Sequence, residues 1–538
     1  MSDEVIPDTL RAWALKQPDK PFVKCDSDYF TYARLNERTD ELAAGFARLG
    51  LVKGDRVAIL LSNRIEVLEL YFALAKLGVI QVPLNTFLKG EFLRHQLVDS
   101  DPTMFIVDNP GLVSSVELLA SLPSLTTIVT LDADSEELAA DLAATSPYRL
   151  LKYESVAMVG ARAPELALTP DDLMSILYTS GTTGLPKGCL LTHGYYTRVG
   201  RQMVYANETT SDDVLFTTLP LFHSAARMMV VSAALQAGAS LVVEPSFSAR
   251  NFFRRAGEER ATLAYGVGAM SVALIKSPPS EFDTKHSLRL VMLPPTPKDL
   301  QVEFKERFGV QVWAESFGQT ECVPVSNNPT FEKERRPGTS GRPVLDLEVV
   351  IMDDEDNPVP QGTAGEVCVR PKQKNAIFAG YWRNPEGTLE AFRHLWFHTG
   401  DTGFLDEEGY FHFVDRKKDA IRRRGENVAS VELEAAISLH PKIAEVAVIG
   451  VPSASTEEDI KACIVLVEGS SFEPEELFDY FAKHLPYYAI PQFVEFLPEL
   501  PRNATGRIQK FRLKERIGSD GVWDFHAMGH VVAATARR

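Results

Sequence analysis

Residues 56–84 read RVAILLSNRIEVLELYFALAKLGVIQVPL. Arg56–Leu61 is a short β-type run. Asn63 then stands where a helix cap belongs, and Val67, Leu70, Tyr71, Leu74 and Leu77 recur at three- and four-residue steps, one face of a helix. Gly78 supplies the stop, and Val79–Leu84 reads as the next strand. The same strand–helix–strand rhythm returns at Leu215–Val243 and at Thr262–Leu293, so the expected class is α/β, built in layers.

The pattern changes near residue 340. Residues 348–370, EVVIMDDEDNPVPQGTAGEVCVR, alternate short strands with Asp, Asn, Pro and Gly turns, which predicts a β-rich antiparallel unit. After Asp401 a hairpin is expected, followed by a basic segment. Ser430–His440 then reads as a helix, Ala444–Val451 as a strand, and Glu475–Leu485 as an amphipathic helix with Pro474 just before it. The expected architecture is a large N-terminal domain of α/β subdomains plus a β-rich subdomain, and a small α+β C-terminal domain. No reading emerges for the tail beyond Lys514.

A chain of 538 residues holds about three or four structural units. Hydrophobic residues are 45% and charged residues 24%, ordinary globular values that exclude a fibre or wholesale disorder. The 56 Lys and Arg against 73 Asp and Glu give a net charge of −17, so neither nucleic acid nor an anionic membrane is the expected partner. Cys25, Cys189, Cys322, Cys368 and Cys463 are scattered, with no C-x-x-C pair to suggest a disulfide framework or a zinc knuckle. The start, MSDEVIPDTLRAW, lacks the apolar core of a secretory signal, and Met228–Val243 is too short and polar to span a bilayer. A cytoplasmic protein is expected, with a homodimer left open.

Chemistry concentrates in Tyr178–Gly188, YTSGTTGLPKG. Four Ser/Thr hydroxyls, three glycines and Lys187 stand in one short loop. Glycines let backbone N–H groups converge on an anion, Ser and Thr add donors, and lysine adds a point charge. This is the composition of a phosphate cradle, without the register of a Walker A loop.

The loop resembles the signature of the adenylate-forming superfamily of acyl-CoA synthetases, peptide-synthetase adenylation domains and firefly-type luciferases. Further segments resemble that family's motifs in the same order: Leu219–His223 (LPLFH), Ser316–Glu321 (SFGQTE), Trp396–Asp401 (WFHTGD), Val414–Val428 (VDRKKDAIRRRGENV) and Leu500–Lys510 (LPRNATGRIQK). The resemblance spans about residues 8–515, and the second half looks most like carnitine/crotonobetaine-type CoA ligases.

What the resemblance implies is an AMP-forming acid–CoA ligase using ATP, Mg²⁺ and CoA. Thr179, Ser180, Gly181, Thr182, Thr183, Gly184 and Lys187 would cradle phosphate. Thr320 and Glu321 would stand on the Mg²⁺ side, Asp401 would accept the ribose hydroxyls, and Arg416 would complete ribose and phosphate binding. Phe317 and Gly318 would face the adenine. His223 would gate the passage between acid and thiol, and the acid pocket would draw on His223, Arg227, Tyr265, Gly268, Met270 and Val323. Arg227 would be its one fixed charge.

Residues 1–417 would bind ATP and the acid. Residues 418–538 would form a mobile lid hinged at Lys418, presenting Arg507 and Lys510 for adenylation and the Arg422–Gly425 face to CoA. Two departures from the pattern stand out: Met292–Lys298 (MLPPTPK) replaces the usual adenine loop, and Arg507 occupies the place of the catalytic lysine. The residues also allow an amine, a carrier-protein thiol or oxygen as the acceptor. A homologue that has lost catalysis is a further alternative.

Overall fold

The run RVAILL forms a strand, Arg56–Leu60, buried along most of its length, and Ile80–Pro83 lies parallel beside it. Between them runs the helix Ile65–Lys76, almost wholly buried, and Gly78 ends it at φ +62°, a conformation glycine adopts without steric cost. The computed structural model describes residues 4–132, 148–179, 185–296, 298–331, 335–416, 420–423, 426–453, 457–501, 508, 510–514 and 521–530.

Two seven-stranded sheets carry the N-terminal part. The first runs Arg149–Lys152, Thr127–Thr130, Met104–Val107, Arg56–Leu60, Ile80–Pro83, Leu173–Thr179, Lys187–Thr192. Its pairings are parallel except the last, the hairpin that brackets the glycine-rich loop. The second runs Val312–Trp313, Leu290–Met292, Leu263–Tyr265, Val214–Thr217, Ser240–Val243, Pro21–Cys25, Asp28–Thr31, again parallel until its final pair. Helices pack between and around them, and one apolar core joins both sheets through Tyr71, Tyr196 and Val231.

Asn63 does not cap the helix. Its side-chain amide donates to the carbonyls of Leu219 and Glu244, both at 3.0 Å, and its carbonyl accepts from the Leu221 N–H at 2.7 Å. It fastens the first sheet to the segment leading into His223, three bonds that together outweigh one local cap.

The β-rich unit contains a three-stranded antiparallel sheet, Ser316–Gln319, Cys322–Asn327 and Arg342–Pro343. Beside it stands a four-stranded one, Leu347–Met352, Gly365–Pro371, Phe397–Leu405 and Phe411–Arg416. The C-terminal part opens with the hairpin Ala420–Arg423 and Glu426–Ala429. It continues with the helix Ser430–Ser438 and a sheet of Ile443–Pro452, Glu458–Leu466, Phe493–Phe496 and Trp523–Asp524. Helix Pro474–His484 starts with its proline in the first turn. The uninterpreted tail thus supplies an edge strand, with Phe525 fully buried beneath it. The expected boundary at 417/418 lies outside the described residues.

Candidate active site

The carboxyl ends of Leu173–Thr179, Val214–Thr217, Leu263–Tyr265 and Leu290–Met292 open on one cavity of about 850 Å³, roofed by the β-rich unit and by the C-terminal hairpin. A crevice at the carboxyl ends of parallel strands is where α/β folds bind ligands, because the connecting loops diverge there.

Glu321 sits on that cavity, 6% exposed, between its neighbours' hydroxyls. Its Oε1 accepts from Thr179 Oγ1 at 3.2 Å and from the Tyr381 hydroxyl at 3.0 Å. Burial, and then the Glu321 charge, push the Tyr381 phenol far above its usual pKa, so it stays a donor. Burial first and Glu321 second likewise keep Cys189 and Cys322 as thiols. Lys187 stands with its ammonium 5.0 Å from the Tyr381 ring centre. Thr320 pairs through Oγ1 with Ser224 Oγ at 3.1 Å.

The ribose-side candidate, Asp401, is 4% exposed and lines the same cavity. Gln319 donates to its Oδ2 at 3.3 Å and to the Thr399 carbonyl at 3.1 Å. Strand register sets Arg416 directly opposite Asp401. Phe317 lines the cavity too, with its ring 4.9 Å from Phe411 and 6.0 Å from Phe413. Gly318 lies beside it.

His223 meets the C-terminal hairpin: its Nε2 is 2.9 Å from Glu426 Oε1. Burial lowers the imidazole pKa, but the Glu426 charge and hydrogen bond outweigh it, and the net shift is upward from 6.5. The docked pair is therefore favoured fully below pH 6.5 and loses that contribution as pH rises through the raised value. In Glu426→Ala only burial remains, so the His223 pKa should fall below 6.5, readable by NMR titration of labelled histidine. An unchanged value would mean that the hairpin does not dock there in solution.

Several expected residues lie elsewhere. Arg227 does not line the cavity. It is 1% exposed in a widened π-helical turn, Ala225–Val231, that carries it inward. There it donates to Gln81, reaches the Tyr196 hydroxyl at 3.3 Å and covers the Tyr71 ring at 4.8 Å. Met270 packs behind the wall, with its sulfur 3.6 Å from Thr218 Oγ1. Gly268 is not a lining residue but a close-approach site, since a Cβ there would lie 1.7 Å from the Pro295 carbonyl oxygen. Gly268→Ala should therefore cost about 1–3 kcal/mol, measured as a fall in Tm. An unchanged Tm would contradict that packing.

Tyr265 and Val323 do line the cavity, and so does Arg422. Arg422 Nε stands 3.8 Å from Glu457 Oε1, and its backbone N–H donates to Glu458 at 2.9 Å. Lys510 is held within the C-terminal part, 2.6 Å from Ser430 Oγ and 2.8 Å from Glu434. Ser180, Gly181, Thr182, Thr183, Gly184, Lys418, Gly425 and Arg507 lie outside the described residues.

Three contributors escaped the sequence reading. Gln319 and Glu426 were within reach, each standing inside a quoted motif. Tyr381 was not, because its partner Glu321 is 60 positions away.

Comparison with known proteins shows the family. The AMP-binding enzyme family matches residues 10–382, and the AMP-binding enzyme C-terminal domain matches 432–507. The crotonobetaine/carnitine–CoA ligase of Salmonella enteritidis PT4 is 36% identical, over 90% of this chain and 93% of its own length. Among solved structures, a double mutant of o-succinylbenzoate CoA synthetase from Bacillus subtilis, bound to a product analogue, superposes with TM-score 0.80. It is 26% identical, over 95% of this chain and 98% of that one. An anthranilate CoA ligase in complex with anthranoyl-AMP gives TM-score 0.71 at 27% identity, covering 96% and 98%. An amide bond synthetase from Marinactinospora thermotolerans, 24% identical with TM-score 0.81 over 95% and 99%, shares the fold. This chain belongs to the AMP-binding enzyme family, among its ATP-dependent acid–CoA ligases.

Proposed function

We propose that this enzyme joins a carboxylic acid to CoA in two steps within one cavity. The acid's oxygen attacks the α-phosphorus of ATP, the bond to the β-phosphate oxygen breaks, and pyrophosphate leaves with acyl-AMP formed. The CoA thiol then loses its proton, its sulfur bonds to the acyl carbon, and AMP departs.

The observation that carries this reading is the convergence of Thr179, Lys187, Thr320, Glu321 and Asp401 on a single cavity. Adenylation brings anions together, so positioning and charge compensation supply most of the rate. Lys187 would neutralise phosphate charge, with its ammonium beside the Tyr381 ring. Asp401 would accept both ribose hydroxyls, held in place by Gln319. Phe317 would flank the adenine. Thr320 and Glu321 are hard oxygen donors that suit Mg²⁺. Bound there, Mg²⁺ would offset the charge of the triphosphate.

Residues 1–417 are then the ATP- and acid-binding domain and 418–538 the lid. In the described position the lid offers His223 its Glu426 while Lys510 is engaged at home. That division suits the thiol step, and a swing of the lid would serve adenylation. Cytoplasmic residence fits five cysteines that are all buried and form no disulfide. Among the described residues no helix is long and apolar enough to cross a membrane.

Asp401→Ala should raise the KM for ATP by about 10- to 100-fold, the scale for losing hydrogen bonds to a charged group, with a smaller effect on the KM for CoA. Initial rates over a grid of ATP and CoA concentrations decide it. Equal rises in both constants would remove Asp401 from the nucleotide site.

A further inference from the structure

The cavity is chemically two-sided. Charged groups among its lining are Lys187, Glu321, Glu366, Arg393 and Asp401, and the lid adds Arg422, Glu426, Glu432, Glu457 and Glu458. An apolar wall comes from the segments after Val214–Thr217, Leu263–Tyr265 and Leu290–Met292, with the side chains Phe222, Met229, Val230, Tyr265, Val267 and Met292. The few polar atoms on this wall are already committed. Tyr265 accepts from Asn207 at 2.9 Å, Ser224 pairs with Thr320 at 3.1 Å, and His223 points to Glu426 at 2.9 Å. Burial pushes the Tyr265 phenol up to about 12, so it adds no charge.

The one charge encoded in Leu219–Val231 is Arg227, and it is turned to the far side, onto Gln81, Tyr196 and Tyr71. Phe222 gives its ring to Phe87, 6.2 Å away, and to His223, 4.8 Å away. A second ionised group buried against this wall would find no charged partner among the wall's own side chains, and the nearest lid carboxylate, Glu426, is already held by His223 at 2.9 Å.

We propose that the acid is an uncharged aliphatic or arylaliphatic carboxylate, and that this wall rejects acids bearing a distal ammonium or a second carboxylate. The inference rests on the acid-ligase reading for the wall's role. Each methylene buried there should raise kcat/KM about fourfold from propionate to hexanoate. A distal charge should lower it by about 10²-fold or more.

The test pairs binding with turnover on the full-length enzyme. Equilibrium dissociation constants are measured for three non-hydrolysable acyl-sulfamoyl adenosines: hexanoyl, 4-trimethylammoniobutanoyl and 4-carboxybutanoyl. Acid-dependent ATP–pyrophosphate exchange is measured with the parent acids. Hexanoyl should bind at least about 10²-fold tighter than either charged analogue. Met229→Glu should narrow its lead over the cationic one. Equal or tighter binding of a charged analogue to the unaltered enzyme overturns the proposal. Absent exchange with every acid, alongside a preserved hexanoyl preference, removes the ligase reading and upholds the wall's selectivity.

Discussion

Glu321→Ala should cut acid-dependent ATP–pyrophosphate exchange by about 10²-fold or more, the scale for removing one major electrostatic stabiliser. The carboxylate is 6% exposed and fixed by Thr179 and Tyr381, so its loss removes charge from a pre-set position rather than from a mobile side chain. Burial keeps the Tyr381 phenol protonated, so it does not replace the missing anion. Thioester formation from supplied acyl-AMP should suffer less, because pyrophosphate has already gone by then. Glu321→Gln keeps both hydrogen bonds in place and should lose nearly as much exchange as the alanine variant. Recovery in the glutamine variant would show that Glu321 acts by shape, not charge.

Arg507→Ala should abolish pyrophosphate exchange while sparing thioester formation from synthetic acyl-AMP. On the proposed reading the lid places a fixed positive charge between the acid and the α-phosphate, with no proton to gain or lose. Arginine meets that need, and its planar fork can bridge two oxyanions. Arg507→Lys should therefore retain or raise exchange. Lys510→Ala should do less harm to exchange, because Lys510 is engaged with Ser430 at 2.6 Å and Glu434 at 2.8 Å. Half-reaction assays on the three variants separate these outcomes. Greater damage from Lys510→Ala would shift the adenylation role by three residues.

The layered frame was readable because apolar periodicity is local: residues 56–84 state a strand, a helix, a stop and a strand within one window. The antiparallel unit after residue 340 was readable for the same reason, through its turns. Asn63 was misread because a cap is judged over four residues, whereas its partners Leu219 and Glu244 lie 156 and 181 positions on. Arg227 was misread because a helix of ordinary pitch would not show the widened turn that carries it inward. The neighbours of Arg422, Glu457 and Glu458, were not legible in the basic run before Gly425, because they lie about 35 positions on. Trp523–Asp524 left no pattern at all, since two residues are too few for any period.

The nucleotide product tests the central claim most directly. The enzyme is incubated with ATP, hexanoate, CoA and magnesium, and the spent nucleotide and the thioester are resolved by chromatography. Attack at the α-phosphorus requires AMP, pyrophosphate and hexanoyl-CoA in equal amounts, with AMP formation dependent on the acid. ADP and phosphate in their place, with thioester still formed, would mean attack at the γ-phosphorus and would contradict the account.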